Sequence, residues 1–505
     1  MDLFIKIAML VVFFGVMIGV GVYCRKKSTN VDGFVLGGRS VGPWLTAFAY
    51  GTSYFSAVVF VGYAGQFGWK YGIAATWAGI GNAILGSLLA WAVLGRRTRI
   101  MTQHMNSATM PQFFETRYDS KKLKLASSVI IFIFLIPYTA SLYNGLSRLF
   151  GMAFDIDYSV CVIAMAVLTG IYVIAGGYMA TAINDFIQGI IMIVGILAVI
   201  VAVLKGQGGL MEAVESLGKV ADAENGIPAG SFNSLFGPDP MGLMGVVLLT
   251  SLGTWGLPQM VQKFYAIKSE KAINKGMIIS TVFALVVAGG CYFLGGFGRL
   301  FTTQEAVNAG GYDSIIPTML SDLSPLLIGV VVVLVLSASM STLSSLVMAS
   351  SSTLTLDFIK GTLVKKMSEK KQLLTMRILI AVFIAISVVI AILQYKSNVT
   401  FIAQLMGVSW GALAGAFLAP FLYGLYWKRT TPLSVWVCMI FSSVVMVANI
   451  FWGKADFWPD LIKSPINAGA FCMLAGLIIV PVVSLMSKPP KKEYVEQVFS
   501  CYDKK

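Results

Sequence analysis

The sequence has little charge, a single histidine and no paired cysteines. Only 12% of its 505 residues are charged, about half the share that a soluble domain carries. The one histidine, His104, follows the basic segment GRRTR, where a solvated loop residue is favoured over a metal ligand. This composition argues against a soluble globular protein and against a histidine metal site.

The six cysteines also lack the spacing of a disulfide framework or a thiolate metal site. Most of them fall within or beside apolar segments: Cys24, Cys161, Cys291, Cys438, Cys472 and Cys501. The sequence contains no nucleotide-binding P-loop motif, so nothing in it indicates an ATP-driven pump.

Long apolar segments are what the sequence does contain. Hydrophobic residues make up 57% of the chain, and apolar runs of roughly twenty residues recur along it, each long enough to cross a bilayer. A membrane barrel would show short alternating segments instead. The first run, 3–22, has no small-residue cleavage site and is interpreted as a retained span. We therefore predict an all-α polytopic membrane protein with about thirteen transmembrane helices.

The net charge of +14 is distributed unevenly among the loops. Basic clusters follow the odd-numbered predicted spans: CRKK, GRRTR, KKMSEKK, WKRTT and KPPKK. This alternation is the positive-inside pattern, so it favours the lipid bilayer over nucleic acid as the partner. It predicts a multi-pass protein of the cell membrane, with the N-terminus outside and the C-terminus in the cytoplasm.

Two predicted spans are interrupted at similar positions. The span 43–67 contains Gly51 and Gly62, and the span 241–262 contains Gly253, Gly256 and Pro258. One such break could be a packing kink, because Gly and Pro are common in membrane helices. Two breaks at matching places indicate inverted repeats, in which the substrate and ion sites lie at broken helices.

A buried carboxylate is the clearest charged candidate. Asp185 lies about one turn into the predicted span 181–204. An ionised carboxylate inside the membrane costs about 2.5–3.5 kcal/mol, so it calls for a cation, a proton or a cluster of donors. The alternative is an interfacial Asp that bonds to nearby backbone groups.

The segment SASMSTLSSLVMASSS, 337–352, places many hydroxyls inside another apolar span. On a helix, five of its residues recur at spacings of three and four and form one polar face: Ala338, Ser341, Thr342, Ser344 and Ser345. Hydroxyl and carbonyl oxygens suit a small hard cation. The alternative is hydrogen bonding between membrane helices.

Several motifs together resemble the sodium:solute symporter family, which includes proline, pantothenate, sialic acid and sodium–glucose transporters. They occur in the family's order over most of the chain: LGGRSVGPW, IYVIAGGYMATAINDFIQG, GLPQMVQKFYA, SASMSTLSS and GALAGAFLAPFLYGLYWKRTT. The resemblance implies a sodium ion as the coupling ion. It is specific for the family and poor for the solute.

The resemblance also implies the residues of two sodium sites. The first would use the carbonyls of Thr52, Phe55 and Ala338 and the hydroxyls of Ser341 and Thr342. The second, as in the family's sialic acid transporters, would use Asp185, Ser341, Ser344 and Ser345. The chain departs from the proline transporters at Tyr54, where they carry Asp, and this lowers the probability of proline as solute.

The predicted layout places two inverted five-helix repeats between extra helices. Residues 1–30 hold an extra N-terminal helix, 31–240 the first repeat, 241–429 the second repeat, 430–487 two further helices, and 488–505 a cytoplasmic tail. Residues chosen for the solute by their core-helix position are Ser53, Ser56, Tyr138, Thr254, Trp255 and Gln404.

These observations predict a transporter and not an enzyme. It would import a small polar solute (an amino acid, a monocarboxylate such as pantothenate, or a sugar-like compound) by alternating access, with two sodium ions. No obligate protein partner is evident. The alternatives are proton coupling through Asp185 and, from another class, an uncoupled channel or a transporter-like sensor.

Overall fold

A computed structural model of the chain describes residues 2–154, 157–364, 366–397 and 402–503. Within these ranges the regular secondary structure is all helical, with no β-strand and only three isolated bridges. The predicted all-α fold is confirmed.

Ten α-helices occupy the first half of the chain. They are α1 Asp2–Cys24, α2 Val31–Leu36, α3 Pro43–Tyr54, α4 Ala64–Tyr71, α5 Thr76–Gly81, α6 Arg96–His104, α7 Met110–Tyr118, α8 Lys121–Phe154, α9 Tyr158–Gly206 and α10 Leu210–Gly218. Eleven more follow: α11 Pro240–Gly256, α12 Pro258–Ala266, α13 Glu270–Gly295, α14 Gln304–Gly310, α15 Ile315–Leu320, α16 Pro325–Thr353, α17 Glu369–Ser397, α18 Ile402–Tyr426, α19 Pro432–Trp452, α20 Pro465–Met486 and α21 Lys492–Phe499.

Shorter helical turns connect or extend these helices. Four are π-helical: Val58–Tyr63, Asn82–Leu89, Trp91–Gly95 and Leu354–Leu363. Seven are 3₁₀ turns: Arg25–Lys27, Gly37–Arg39, Gly72–Ala75, Gly298–Leu300, Tyr312–Ser314, Asp460–Ile462 and Ser500–Tyr502.

Among the described residues, ten helices are long and apolar enough to cross a membrane, or eleven with the bent pair α11–α12. Two of the ten, Val58–His104 and Tyr158–Gly206, have 47 and 49 residues, about twice what one crossing needs. In α9 the backbone is non-helical at Gly177 (φ 58°), four residues before the start of the predicted span 181–204. The exact number of thirteen spans stays a prediction, because helices that follow each other without a loop are not separated.

Both predicted breaks are present. Helix α3 ends at Tyr54, the backbone at Phe55 is extended, and the chain becomes helical again at Val58. Helix α11 ends at Gly256, Leu257 is extended, and α12 begins at Pro258 with a bend of 47°. Each break leaves carbonyl groups of the preceding helix without their intrahelical partners.

Helix α16 lies at the centre of the fold. It packs against α9, α8, α3 and α12, and its residues from Val331 to Thr353 are buried. The serine-rich stretch therefore faces other helices and not lipid. Helix α1 packs on α9 and α16, and α19 and α20 pack on α18.

Candidate functional site

The break in α3 meets the hydroxyl face of α16. The Thr342 hydroxyl lies 3.0 Å from the Thr52 carbonyl oxygen, 3.3 Å from that of Phe55 and 3.1 Å from that of Ala338. The Ser341 hydroxyl lies 3.2 Å from the Thr52 and Ala338 carbonyl oxygens. The structure thus brings the five predicted ligands of the first site together.

This cluster contains more acceptors than donors. Each hydroxyl has one proton, so two hydroxyls cannot satisfy the lone pairs of three carbonyl oxygens. Every residue in the cluster is nearly or completely buried. A group of neutral oxygens that is short of protons and shielded from bulk water suits a small hard cation.

Residues predicted for the second site lie on α9 and α16. Asp185 is fully buried, and neither carboxylate oxygen accepts a hydrogen bond from the described residues. The Tyr172 hydroxyl, which donates to the Met340 carbonyl at 3.0 Å, lies close to both Asp185 and Ser344. Ser344 itself donates to the Ser341 carbonyl at 2.8 Å. The carboxylate and the serines therefore border one buried region.

The last member of this set, Ser345, contacts a residue predicted for the solute. Its hydroxyl oxygen lies 2.8 Å from that of Ser53 in α3. Ser53 also donates to the carbonyl of Ala49 in its own helix. The structure places Ser53 on the α16 side of α3, beside the predicted ion sites.

A buried lysine at this place was missed from the sequence. Lys263 in α12 is 3% exposed, and its ammonium donates to the Ser345 hydroxyl at 3.0 Å. The motif KFYA resembles a basic end of a membrane helix, so its depth was not recognised. Pro258 indicated the break in the sequence, but not how deeply the helix that follows it is buried.

Two of the predicted solute residues lie together beside the break in α3. The Tyr138 hydroxyl is close to Ser56 and to the indole nitrogen of Trp410, whose ring meets the Tyr138 ring edge-on at 5.9 Å. The Tyr138 hydroxyl and the Trp410 nitrogen have no hydrogen-bond partner among the described residues. Trp410 was not predicted from the sequence.

The other three predicted solute residues are more dispersed. Thr254 donates to the Gly86 carbonyl at 2.9 Å and Trp255 donates to the Leu85 carbonyl at 2.8 Å, so both anchor α11 to the π-helical segment 82–89. Gln404 is half-buried in the first turn of α18, the helix that carries Trp410.

Further buried polar groups adjoin the breaks and were also missed. Gln259, the second residue of α12, is 1% exposed, and neither end of its amide has a partner in the described part of the chain. The Tyr54 hydroxyl at the end of α3 is likewise without one. Buried groups of this kind are costly unless something satisfies them, and a polar ligand at the breaks would do so.

Comparison with known proteins adds a family model, close relatives and a solved structure. The model of the sodium:solute symporter family matches residues 34–442. A sodium/proline symporter of Staphylococcus aureus is 30% identical over 96% of this chain and 92% of its own length. Sodium/proline symporter 2 of Staphylococcus saprophyticus is 29% identical over 88% of this chain and 86% of its own length.

The structure of a Na⁺-coupled sialic acid symporter, in a substrate-bound outward-open state, is also similar. It aligns with a TM-score of 0.75 and 17% identity over 97% of this chain and 99% of its own. At this identity the likeness establishes the shared fold, whose centre is the region described above.

Proposed function

Since the chain belongs to the sodium:solute symporter family, we propose that it imports a small polar solute by alternating access, driven by sodium moving down its gradient. Members of the family are transporters and not enzymes. The observation that carries the proposal is the convergence of Thr52, Phe55, Ala338, Ser341 and Thr342 at the break in α3.

The first sodium ion would bind within this cluster and hold α3 against α16. A cation at this place would be coordinated by oxygens of both the broken helix and α16. The Thr342 hydroxyl alone now contacts three carbonyl oxygens there. Sodium binding would therefore stabilise one arrangement of these helices, which is the property that alternating access requires.

A second sodium ion would bind beside Asp185, with Ser341, Ser344 and Ser345. The support is a fully buried carboxylate with no hydrogen-bond donor among the described residues, next to a serine face. The negative charge would offset repulsion between two neighbouring cations. Each charge moved inward gains about 2.3 kcal/mol per 100 mV of membrane potential, so a second ion doubles the electrical driving force for a neutral solute.

The solute would bind next to the two breaks. We propose that Ser56 and Tyr138 contact it, together with Trp410, and that Ser53, Thr254, Trp255 and Gln404 complete or shape the pocket. The class remains an amino acid, a monocarboxylate or a sugar-like compound. The S. aureus and S. saprophyticus relatives are sodium/proline symporters, but Tyr54 stands where the resemblance places an Asp in proline transporters.

We also propose how the two repeats and the two termini are arranged in the membrane. The repeats would span 31–240 and 241–429, since each contains one of the two broken helices. The N-terminus would lie outside and the tail 488–505 in the cytoplasm, because the basic loops fall on the same side of the membrane as the tail and basic loops are typically cytoplasmic.

A ligand screen tests the proposal and identifies the solute. The purified protein would be heated with proline, pantothenate, sialic acid and related metabolites, in sodium chloride and in choline chloride. A specific ligand raises the unfolding temperature by mass action. We expect one solute class to stabilise the protein in sodium only, and Thr342→Ala to reduce or abolish that stabilisation at the same sodium concentration. Stabilisation by a solute that is equal in both salts would contradict sodium coupling.

A further inference from the structure

The region proposed for the second sodium ion already contains a positive charge that belongs to the protein. The Lys263 ammonium donates to Ser345, lies 5.1 Å from the centre of the Tyr178 ring, and is 3% exposed. Ser345 in turn contacts Ser53 in α3. One side chain of α12 thus reaches α9, α16 and, through Ser345, the broken helix α3.

Lys263 and Asp185 act on each other without forming a closed ion pair. The Lys263 ammonium lies over the ring of Tyr178 in α9, the helix that also carries Asp185, so the two opposite charges lie in the same part of the fold. Both residues lie in the part of the chain that the structure describes, and no salt bridge joins them. Since the Asp185 oxygens also accept no hydrogen bond from the described residues, they are available to another cation.

We propose that Lys263 is a tethered cation that competes with the second sodium ion. Its ammonium occupies the position beside Ser345 when that ion is not bound, and it moves away when sodium binds to the second site, formed by Asp185, Ser341, Ser344 and Ser345. Two unit charges of the same sign cannot share one buried carboxylate without strong repulsion. This inference rests on the proposed second site and names the residue that controls its occupancy.

The structure provides a way for the ammonium to leave. Lys263 lies in α12, which begins after the extended residue Leu257 and is bent by 47° from α11. The lysine stem has four rotatable bonds, which let the ammonium swing away from Ser345, and the extended residue Leu257 provides a hinge for α12. The exchange of ammonium for sodium would then couple occupancy of the second site to the position of α12.

Sodium binding to the purified full-length protein tests this inference. Radioactive ²²Na⁺ binding would be measured at one fixed pH, with choline as the balancing cation, to obtain ions bound per protein and half-saturating concentrations. The variants are Lys263→Met, which keeps the length and removes the charge, and Lys263→Arg, which keeps the charge. We expect Lys263→Met to tighten the weaker sodium ion by roughly tenfold or more, because a tethered competitor acts at a high effective concentration. Lys263→Arg should not tighten it.

The outcomes separate this inference from the proposed function. Two ions on both proteins, with Lys263→Met binding them no more tightly than wild type, would overturn the competition and leave the second site intact. One ion on wild type and on Lys263→Met, unchanged by Asp185→Asn, would overturn the second site and this inference with it. A variant that is merely misfolded would also lose the first ion, and Lys263→Gln provides a second uncharged variant for that case.

A second site, independent of the first, consists of two adjoining cavities at the surface of the helix bundle. An apolar cavity of about 800 Å³ lies between α1, α9 and α17, and an adjoining cavity of about 450 Å³ shares Arg25 and Arg377 with it. Lys26 and Lys370 also line the second cavity, and none of the residues described as lining either cavity is acidic. The Arg377 Nε is buried and has no hydrogen-bond partner among the described residues, and its guanidinium lies 5.5 Å from the Phe34 ring centre.

We infer that these two cavities bind one anionic phospholipid of the bilayer. Its phosphate would accept hydrogen bonds from Arg25 and Arg377, and an acyl chain would lie in the apolar cavity. Arginine pairs with phosphate through parallel hydrogen bonds, and clustered basic residues at the membrane surface attract anionic lipids. The basic residues fit a phosphate group, and the adjoining apolar cavity fits an acyl chain. Together the two cavities therefore specify a lipid and not a free anion.

Native mass spectrometry of the full chain tests the lipid site. The protein would be equilibrated with phosphatidylglycerol and phosphatidylcholine, and retained lipids counted. Wild type should retain phosphatidylglycerol in preference, the double variant Arg25→Gln/Arg377→Gln should lose that preference, and the control Lys491→Gln/Lys492→Gln in the tail should keep it. Equal retention of both lipids by wild type, or an unaltered preference in the arginine variant, would overturn the site.

Discussion

Ser341 and Thr342 differ from the other hydroxyls of α16 in the carbonyls that they contact. Both reach across to α3, whereas Ser352 lies 2.7 Å from the Met348 carbonyl of its own helix. We expect Ser341→Ala and Thr342→Ala each to raise the half-saturating sodium concentration roughly tenfold, which corresponds to about 1.4 kcal/mol of lost ligand interaction. The measurement is sodium-dependent solute uptake, normalised to expression. Ser352→Ala is the matched control; if all three variants keep wild-type sodium dependence, the serines serve only packing.

Tyr138 supplies a prediction about the solute. Its hydroxyl is buried and unbonded among the described residues, and so is that of Tyr143 in the same helix. Since five positions separate them, they point to different faces of α8. Tyr138→Phe should raise the half-saturating solute concentration about fivefold with sodium affinity unchanged, because a hydrogen bond contributes about 1 kcal/mol. Tyr143→Phe should leave the solute affinity as in wild type, and equal effects of the two variants would place the pocket elsewhere.

At the scale of single residues, the sequence located best those sodium ligands that are close to one another in the chain. Ser341 and Thr342 are adjacent in one motif, and Thr52 and Phe55 flank one break, so the family resemblance located them directly. Lys263 and Gln259 could not be located in this way, because their depth depends on how far α12 is bent away from α11. Trp410 lies in an apolar, small-residue helix, where nothing in the sequence distinguishes it from packing.

Among the elements, the break between α11 and α12 depends on close packing around Gly253. A side chain added at Gly253 would collide with the ring of Trp410, whereas one added at Gly289 in α13 would meet no atom within 4 Å. Gly253→Ala should therefore destabilise the protein by about 1–3 kcal/mol and weaken solute binding, because overpacking displaces Trp410. Gly289→Ala should be neutral or slightly stabilising, since Ala favours helix more than Gly. Thermal unfolding with and without solute compares the two, and equal stability of the variants would contradict the packing described here.

Helix boundaries were the least predictable part of the fold. The predicted span 181–204 is not a separate helix but the second part of α9, because the left-handed backbone at Gly177 redirects the chain without a loop. The breaks themselves were predictable, since Gly256 and Pro258 both oppose helix formation at a fixed point. How the segments pack around α16 follows from contacts between distant residues, which hydropathy does not contain.

At the scale of the whole molecule, the distribution of basic residues predicts the orientation. In a background without the six native cysteines, a cysteine at Ala229 in the loop 205–240 should react with an impermeant thiol reagent in intact cells. A cysteine at Lys491 in the tail should react only after the membrane is permeabilised. The reverse pattern would invert the topology and would contradict the positive-inside argument.

Coupled fluxes in proteoliposomes test the central claim most directly. The purified protein would be reconstituted, and ²²Na⁺ and labelled solute uptake measured in the same vesicles under an imposed sodium gradient, with a proton gradient as the comparison. We predict solute uptake driven by sodium and not by protons, with close to two sodium ions entering for each solute molecule. Uptake driven equally well by protons alone, or a ratio near one that Asp185→Asn does not alter, would contradict the two-sodium symporter proposed for this chain.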